Sequence, residues 1–143
     1  MNTKLKLLFL VILVLVSVTT IVSAEETNLF GRPKSITFKG ENQNWLVEHR
    51  MYLVGTEIEY DIKIRYKGDN VQLKNLPSLY YSIGDNEGYL GGTFSLRNSN
   101  EFMSERMECY GCKYLDKKKE VTFIIGEWEF YKESLSLKRE RTA

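Results

Sequence analysis

The sequence predicts an all-β domain of about seven or eight short antiparallel strands. The strongest signal is Glu57–Tyr66, where Ile and Tyr alternate with charged residues throughout. Successive side chains of a strand leave opposite faces, so this alternation is typical of a half-buried strand. Short alternating segments recur between Gly-, Asp- and Asn-containing turns, without a strong helical period. The pattern is typical of a β-sandwich or barrel, and we predict an antiparallel β-sandwich, immunoglobulin-like or related.

The same parity rule predicts the other strands. Trp45, Val47, His49 and Met51 share one face of a strand, so His49 is predicted to be packed and hydrogen-bonded. We predict strands at 35–39, 44–53 and 57–66, a hairpin at 79–96, and strands at 121–125 and 128–137.

Three details of this assignment are specific enough to test. In 57–66, the buried set is Ile58, Ile62 and Ile64, and the set facing water is Glu59, Asp61 and Lys63. The position of the last turn stays open, because Leu135 has the opposite parity to Phe130. Either the turn lies at 126–127 and a bulge follows it, or the turn lies later, near 131–132. Residues 98–107 have room for one helical turn.

The first 24 residues have the three parts of a secretory signal peptide. Lys4 and Lys6 give a positive start, 7–16 are apolar, and Val-Ser-Ala at 22–24 offers small residues for cleavage. We predict cleavage after Ala24 and secretion. The alternative is an uncleaved anchor, because the apolar stretch nearly reaches the length that spans a bilayer.

The 143 residues are enough for one ordinary domain. We divide the chain into a signal peptide at 1–24, a linker at 25–34, a single β domain at 35–138 and a charged tail at 139–143. Contact with a membrane is expected only through the signal segment, if it is not cleaved.

The charge balance argues against a nucleic-acid partner. The chain has 20 Lys and Arg against 19 Asp and Glu, and loss of Lys4 and Lys6 leaves 18 against 19, a net charge of −1. Binding to nucleic acid normally requires a strong positive field. The lysine run at 117–119 lies between Asp116 and Glu120, and we interpret it as a solvated turn.

Cys109 and Cys112 form the one motif with distinctive chemistry, a C-x-x-C with Gly111 inside it. In an exported chain, such a pair is expected to form a disulfide that pins a turn. A redox role and a metal site are the alternatives. A redox C-x-x-C normally opens a helix, which this sequence does not predict. A zinc site needs four ligands, and His49 is the only histidine available. We therefore predict no metal and no cofactor.

Catalytic patterns are otherwise scarce. The carboxylates of Glu57, Glu59 and Asp61 fit the polar face of a strand, and no nucleophile or phosphate-loop motif occurs. Tyr80 and Tyr89 are candidate surface aromatics for contact with a ligand. Our hypothesis is a non-enzymatic exported protein that binds an unknown extracellular or envelope ligand, or has a structural role there. The alternative is a thiol-active protein, redox or metal-binding, that uses the two cysteines.

The order of several short motifs resembles a group of small exported proteins and lipoproteins of Gram-positive bacteria of the Bacillus type. The motifs are F-x-G-E-x-x-x-W at 38–45, Y-K-G at 66–68, C-x-G-C at 109–112, V-T-F-I-I at 121–125 and L-S-L at 135–137. The resemblance covers about 35–138, and it implies an exported β domain without implying a chemistry. Unlike the lipoproteins, this chain has Ala24 and no lipidatable Cys at the cleavage site.

Overall fold

A computed structural model describes residues 34–85, 88–127 and 130–140, all of which belong to one compact unit. The predicted signal segment, nearly all of the predicted linker and residues 141–143 lie outside the described residues. Among those described, no helix has the length and apolar character needed to cross a bilayer.

The described residues form nine strands and one short helix, which follows the third strand. Their order and bounds are β1 Lys34–Glu41, β2 Trp45–Val54, β3 Glu57–Tyr66, α1 Val71–Asn75, β4 Leu79–Asp85, β5 Gly88–Phe94, β6 Glu101–Met103, β7 Met107–Glu108, β8 Glu120–Glu127 and β9 Tyr131–Arg139. All the strand pairs are antiparallel, as predicted.

The strands form one sheet in the order β5-β4-β8-β9-β1-β2-β3-β6, with β7 also paired to β3. This sheet curls until it is nearly closed like a barrel. A sandwich requires two sheets packed face to face. Here β1 pairs with both β2 and β9, which joins the first three strands to the later ones in a single sheet. The predicted sandwich and its immunoglobulin-like topology are therefore not confirmed.

The strands with clear alternation lie where the sequence predicts them. The predicted segments 35–39, 44–53, 57–66 and 121–125 correspond to β1, β2, β3 and β8, and the hairpin at 79–96 corresponds to β4 and β5. The last turn lies later than Gly126, because β8 extends to Glu127, which pairs with Tyr131 at the start of β9. The predicted start of the last strand at 128 is wrong, because β9 begins at Tyr131, and the turn lies between the two positions predicted for it.

The predicted helical turn at 98–107 is wrong, because this segment contains β6 and the start of β7. These strands are too short to alternate visibly, and pairing with β3 sets their conformation. The helix is instead α1, which the sequence analysis missed. The side chain of Asn70 caps it by accepting hydrogen bonds from the N–H groups of Gln72 and Leu73.

The inner face of the sheet forms a single apolar core. As predicted, Ile62, Ile64 and His49 are fully buried, whereas Ile58 is only partly buried. The largest fully buried side chains come from both halves of the strand order: Phe38, Trp45, Met51, Ile62, Ile64, Leu79, Ile83, Phe123, Ile125 and Leu137.

The prediction that Asp61 faces water on the outer side of β3 is wrong, because this residue is only 6% exposed. Its carboxylate accepts a hydrogen bond of 2.8 Å from Nε of Arg50 and another of 2.8 Å from the hydroxyl of Tyr52. Both partners belong to the adjacent strand β2 and cover the carboxylate. Alternation places Asp61 on the outer face correctly, but it gives no information about neighbours that cover that face.

Candidate functional site

The two ends of the strand order border a groove of about 500 Å³. On one side lies β5, and on the other lie β6, β7 and the residues between them. We name this the seam groove, and its lining residues are Tyr60, Tyr81, Gly91, Gly92, Thr93, Phe102, Met103, Ser104, Glu105, Arg106 and Met107.

Within the described residues, β5 pairs only with β4, so its other edge is open. Every second residue of an edge strand directs its N–H and C=O away from the sheet. Proteins usually block such edges with lysine, proline, a bulge or a short strand. The sequence of β5, Gly-Tyr-Leu-Gly-Gly-Thr-Phe, contains no charge and no proline, and its register with β4 is continuous over all seven residues. In the part of the chain that the structure describes, the edge of β5 is therefore unblocked.

The opposite side of the groove, formed by β6, β7 and the residues between them, is irregular, and we name it the opposite bank. Met103 lies opposite Lys63 and Met107 lies opposite Tyr60, so three residues on this bank face two on β3, which is a bulge. Ser104 fixes the bulge, because its N–H donates to the carbonyl of Ile62 at 2.9 Å and its hydroxyl accepts from the N–H of Ile62 at 3.0 Å. A bulged edge resists the addition of a strand.

Charged side chains also protect this bank. Glu101 pairs with Lys63 at 3.0 Å and with Arg65 at 2.7 Å. Arg106 pairs with Glu59, and its guanidinium lies 3.9 Å from the ring centroid of Tyr52. The two sides of the seam groove therefore differ, one offering an open backbone edge and the other a bulged, charged one.

Tyr81 supplies an aromatic wall to the groove. Its ring is stacked on Phe123 with centroids 6.2 Å apart, and burial raises the pKa of its hydroxyl to about 12. The hydroxyl therefore stays protonated at neutral pH. A Cβ on Gly92 would lie 2.9 Å from this oxygen, closer than real contacts allow. Because Gly92 has no side chain, the ring of Tyr81 has room to lie beside β5.

Aromatic packing defines one end of the groove. The rings of Phe94 and Phe102 lie across the seam with centroids 5.3 Å apart, and the connection from β5 to β6 runs beside them. The N–H of Tyr66 donates to the carbonyl of Asn100 at 2.8 Å, which ties this connection to β3. At the rim, Met103 is 63% exposed.

Cys109 and Cys112 are brought together as a disulfide pair, with Cα atoms 5.6 Å apart. The N–H of Cys109 donates to the carbonyl of Ile58 at 2.8 Å, so the pair continues the edge that β7 forms along β3. Gly111 has φ of 79°, a conformation that favours glycine and allows the tight turn. Between the cysteines, Tyr110 is 90% exposed and donates a hydrogen bond of 2.6 Å to Glu108.

Neither Tyr80 nor Tyr89 is among the described residues that line the groove. Tyr80 is partly buried on β4, where its side chain lies over Gly126 of the adjacent β8. The backbone of Tyr89 belongs to β5, but its side chain lies outside what the structure describes. Tyr80 and Tyr89 remain predictions as contact residues.

The seam groove combines three kinds of chemical group. It offers backbone donors and acceptors along β5, an aromatic wall and charged groups at the bulged rim. Among the described residues, no group of three His, Cys, Asp or Glu side chains is placed to hold a metal ion. The absence of a cofactor stays a prediction.

The sequence does not predict the groove, because the approach of β5 to β6 and β7 depends on the curvature of the whole sheet. Phe94 and Phe102 belong to strands at opposite ends of the strand order. One signal was available in the sequence. The segment 88–94 lacks the charges that alternate along Glu57–Tyr66, which is typical of a strand whose edge is not protected.

Comparison with known proteins gives no relative: no family model, no curated protein and no solved structure matches this chain. The resemblance to exported proteins of the Bacillus type stays a prediction.

Proposed function

We propose that this chain is a non-enzymatic binding module that acts outside the cell, at or near its envelope, and adds an extended polypeptide segment to the edge of β5. The single observation that carries the proposal is the unblocked edge of β5 beside the seam groove. Strand addition is an established mode of peptide recognition, in which backbone hydrogen bonds give affinity and alternate side chains give specificity.

The groove favours a peptide with apolar residues at alternate positions. A strand added to β5 directs every second side chain towards the inner face, where Tyr60, Tyr81 and Phe102 offer apolar contact. The intervening side chains point outwards, on the same face as the exposed Thr93. The groove volume of about 500 Å³ lies in the range of ligand sites in proteins.

Two features support an extracellular location. Residues 1–24 have the composition of a signal peptide, and Cys109 and Cys112 lie within bonding distance as a disulfide, which persists in oxidising compartments. The thiol-active alternative has weaker support. Redox C-x-x-C motifs normally open a helix, and the residues that follow Cys112 up to β8 are turns and irregular chain.

The experiment selects binders from a library of random dodecapeptides displayed on phage, with the purified protein immobilised. Selected peptides are synthesised, and their dissociation constants are measured by fluorescence anisotropy. We expect apolar residues at alternate positions. Thr93→Lys places a charge at the edge of β5, and we expect it to weaken binding at least tenfold.

Thr122→Lys is the matched control. Thr122 is also exposed, but it lies on β8 between two paired strands and away from the groove. We expect its affinity for the peptides to stay within twofold of the wild type. Equal affinity of Thr93→Lys and Thr122→Lys overturns the proposal, as does a protein that pairs two copies through β5 and binds no peptide.

A further inference from the structure

A second concave surface lies at the end of the sheet where β8 begins and β9 ends. It has a volume of about 740 Å³ and is lined by Lys117, Lys118, Lys119, Glu120, Lys138, Arg139 and Glu140. We name it the basic hollow. Five cations and two carboxylates give it a local charge of +3, whereas the whole chain has a net charge of only +1.

Strand pairing creates this concentration of charge. Glu120 of β8 lies opposite Lys138 of β9, which brings the lysine run before β8 next to the basic end of β9. The N–H of Arg139 donates to the carbonyl of Lys119 at 2.8 Å, and its guanidinium donates to the carbonyl of Asp116. These bonds hold the two basic segments together.

The carboxylates of the hollow have partners that reduce their effect on its lysines. Glu120 accepts a hydrogen bond of 3.1 Å from the hydroxyl of Ser136, and Glu140 lies 3.8 Å from the ammonium of Lys39. By contrast, the exposed side chains of Lys117, Lys119 and Lys138 form no ion pair with another described residue. Three ammonium groups are thus available to an anion from outside.

We propose that the basic hollow binds a linear phosphate-bearing polymer that lacks bases. Clustered cations raise the local concentration of anions, and arginine and lysine both bind phosphate oxygens. The concave shape fits a chain that passes through it better than it fits a flat bilayer. None of the described lining residues is apolar or aromatic, so this part of the hollow offers neither a lipid contact nor a surface on which bases stack. This inference does not depend on the peptide site at β5.

The test uses inorganic polyphosphate as the probe and the purified protein, with binding measured by calorimetry at several salt concentrations. In the variant Lys117→Ala/Lys119→Ala/Lys138→Ala, we expect the affinity to fall at least tenfold at low salt. The slope of log affinity against log salt should decrease by about two, since each neutralised phosphate of a single-stranded polyanion contributes about 0.7.

Two further variants test whether binding depends on the position of the three lysines or on charge alone. A measurement of folding accompanies each variant. Lys67→Ala/Lys74→Ala/Lys132→Ala removes the same three charges elsewhere, and we expect its affinity to stay within twofold of the wild type. Replacing the three hollow lysines by arginine keeps the charge, and we expect it to retain binding. Circular dichroism compares the fold of each variant with the wild type.

Three outcomes overturn the proposal. One is equal affinity of the alanine variant and the Lys67/Lys74/Lys132 control for polyphosphate. Another is binding to vesicles of phosphatidylglycerol that is tighter than binding to polyphosphate, which assigns the hollow to a membrane surface. The third is tighter binding to oligothymidylate, which assigns it to single-stranded nucleic acid.

Discussion

Nδ1 of His49, on β2, lies 3.3 Å from the backbone carbonyl oxygen of Asp61 on the adjacent strand β3. The imidazole is fully buried, with the rings of Phe38 and Tyr60 beside it at centroid distances of 6.4 and 6.0 Å. Its second nitrogen, Nε2, has no hydrogen-bond partner among the described residues. The ring is therefore held in its neutral form, with one polar contact to the backbone.

This environment predicts that acid destabilises the protein through His49. Burial lowers the pKa of His49 to about 4 from the usual 6.5, although the carbonyl and the charge of Asp61 oppose the shift. The unfolded chain therefore binds a proton between these two pKa values and the folded chain does not. The contribution to stability is fully present above pH 6.5 and is lost as the pH falls towards 4, by about 3 kcal/mol.

Two measurements check this prediction. The chain has one histidine, so NMR of its imidazole gives the pKa without ambiguity, and we expect a value well below 6. Urea unfolding of the wild type and of His49→Leu, at pH 7.5 and pH 5, should show a smaller pH dependence in the variant. A native-state pKa of 6.5 would mean that the ring is solvated and that this prediction is wrong.

The sequence predicts most of the sheet because alternation depends on local geometry. Glu57–Tyr66 alternates over its whole length, and β3 has those bounds. The burial of Asp61 could not be predicted in this way, because it depends on Arg50 and Tyr52 from the neighbouring strand. The joining of the early and late strands in one sheet also could not be predicted, because the pairing of β1 with β9 is a long-range contact that no local pattern encodes.

The candidate sites illustrate the same limit. The disulfide at Cys109 and Cys112 is visible in the sequence because the two residues are close along the chain. The basic hollow is not, because the run at 117–119 is separated by a full hairpin from Lys138. Taken alone, that lysine run is correctly interpreted as a turn, and its neighbours appear only after the strands pair.

Ile62→Ala tests the core. Ile62 is fully buried on the inner face of β3, and we expect its truncation to lower the free energy of unfolding by about 2–4 kcal/mol, because it leaves a cavity. Ile58→Ala is the control on the same strand. Ile58 is only partly buried, so we expect a smaller loss. Urea unfolding measures both, and a loss below about 0.5 kcal/mol for Ile62→Ala would contradict the packing of this face.

Asp61→Asn tests the covered carboxylate. Asparagine keeps the size of the side chain but removes the charge that Arg50 pairs with at 2.8 Å. We expect a loss of about 1–3 kcal/mol, since hydrogen bonds to charged groups contribute about this amount. Glu101→Gln removes a carboxylate that solvent screens, so its loss should be smaller. Equal losses in the two variants would show that burial of Asp61 does not strengthen its bonds.

Replacing both Cys109 and Cys112 by serine tests the disulfide as a structural element. We expect the free energy of unfolding to decrease by about 1–2 kcal/mol, because the loop that the bridge closes is short. The affinity for peptides selected on the wild type should not change. Mass spectrometry of the protein isolated from its native host should find the pair oxidised and resistant to glutathione. Ready exchange with small thiols would favour the thiol-active alternative.

The most direct test of the central claim is residue-resolved amide hydrogen exchange in β5. In the free protein, we expect protected and rapidly exchanging amides to alternate from Leu90 to Phe94, because one edge of this strand is open, whereas β8 has partners on both sides and is protected at consecutive residues. A selected peptide should slow the rapidly exchanging set. Uniform protection of β5 in the free protein, or a bound peptide that leaves those amides unchanged, would contradict the claim that β5 is the binding edge.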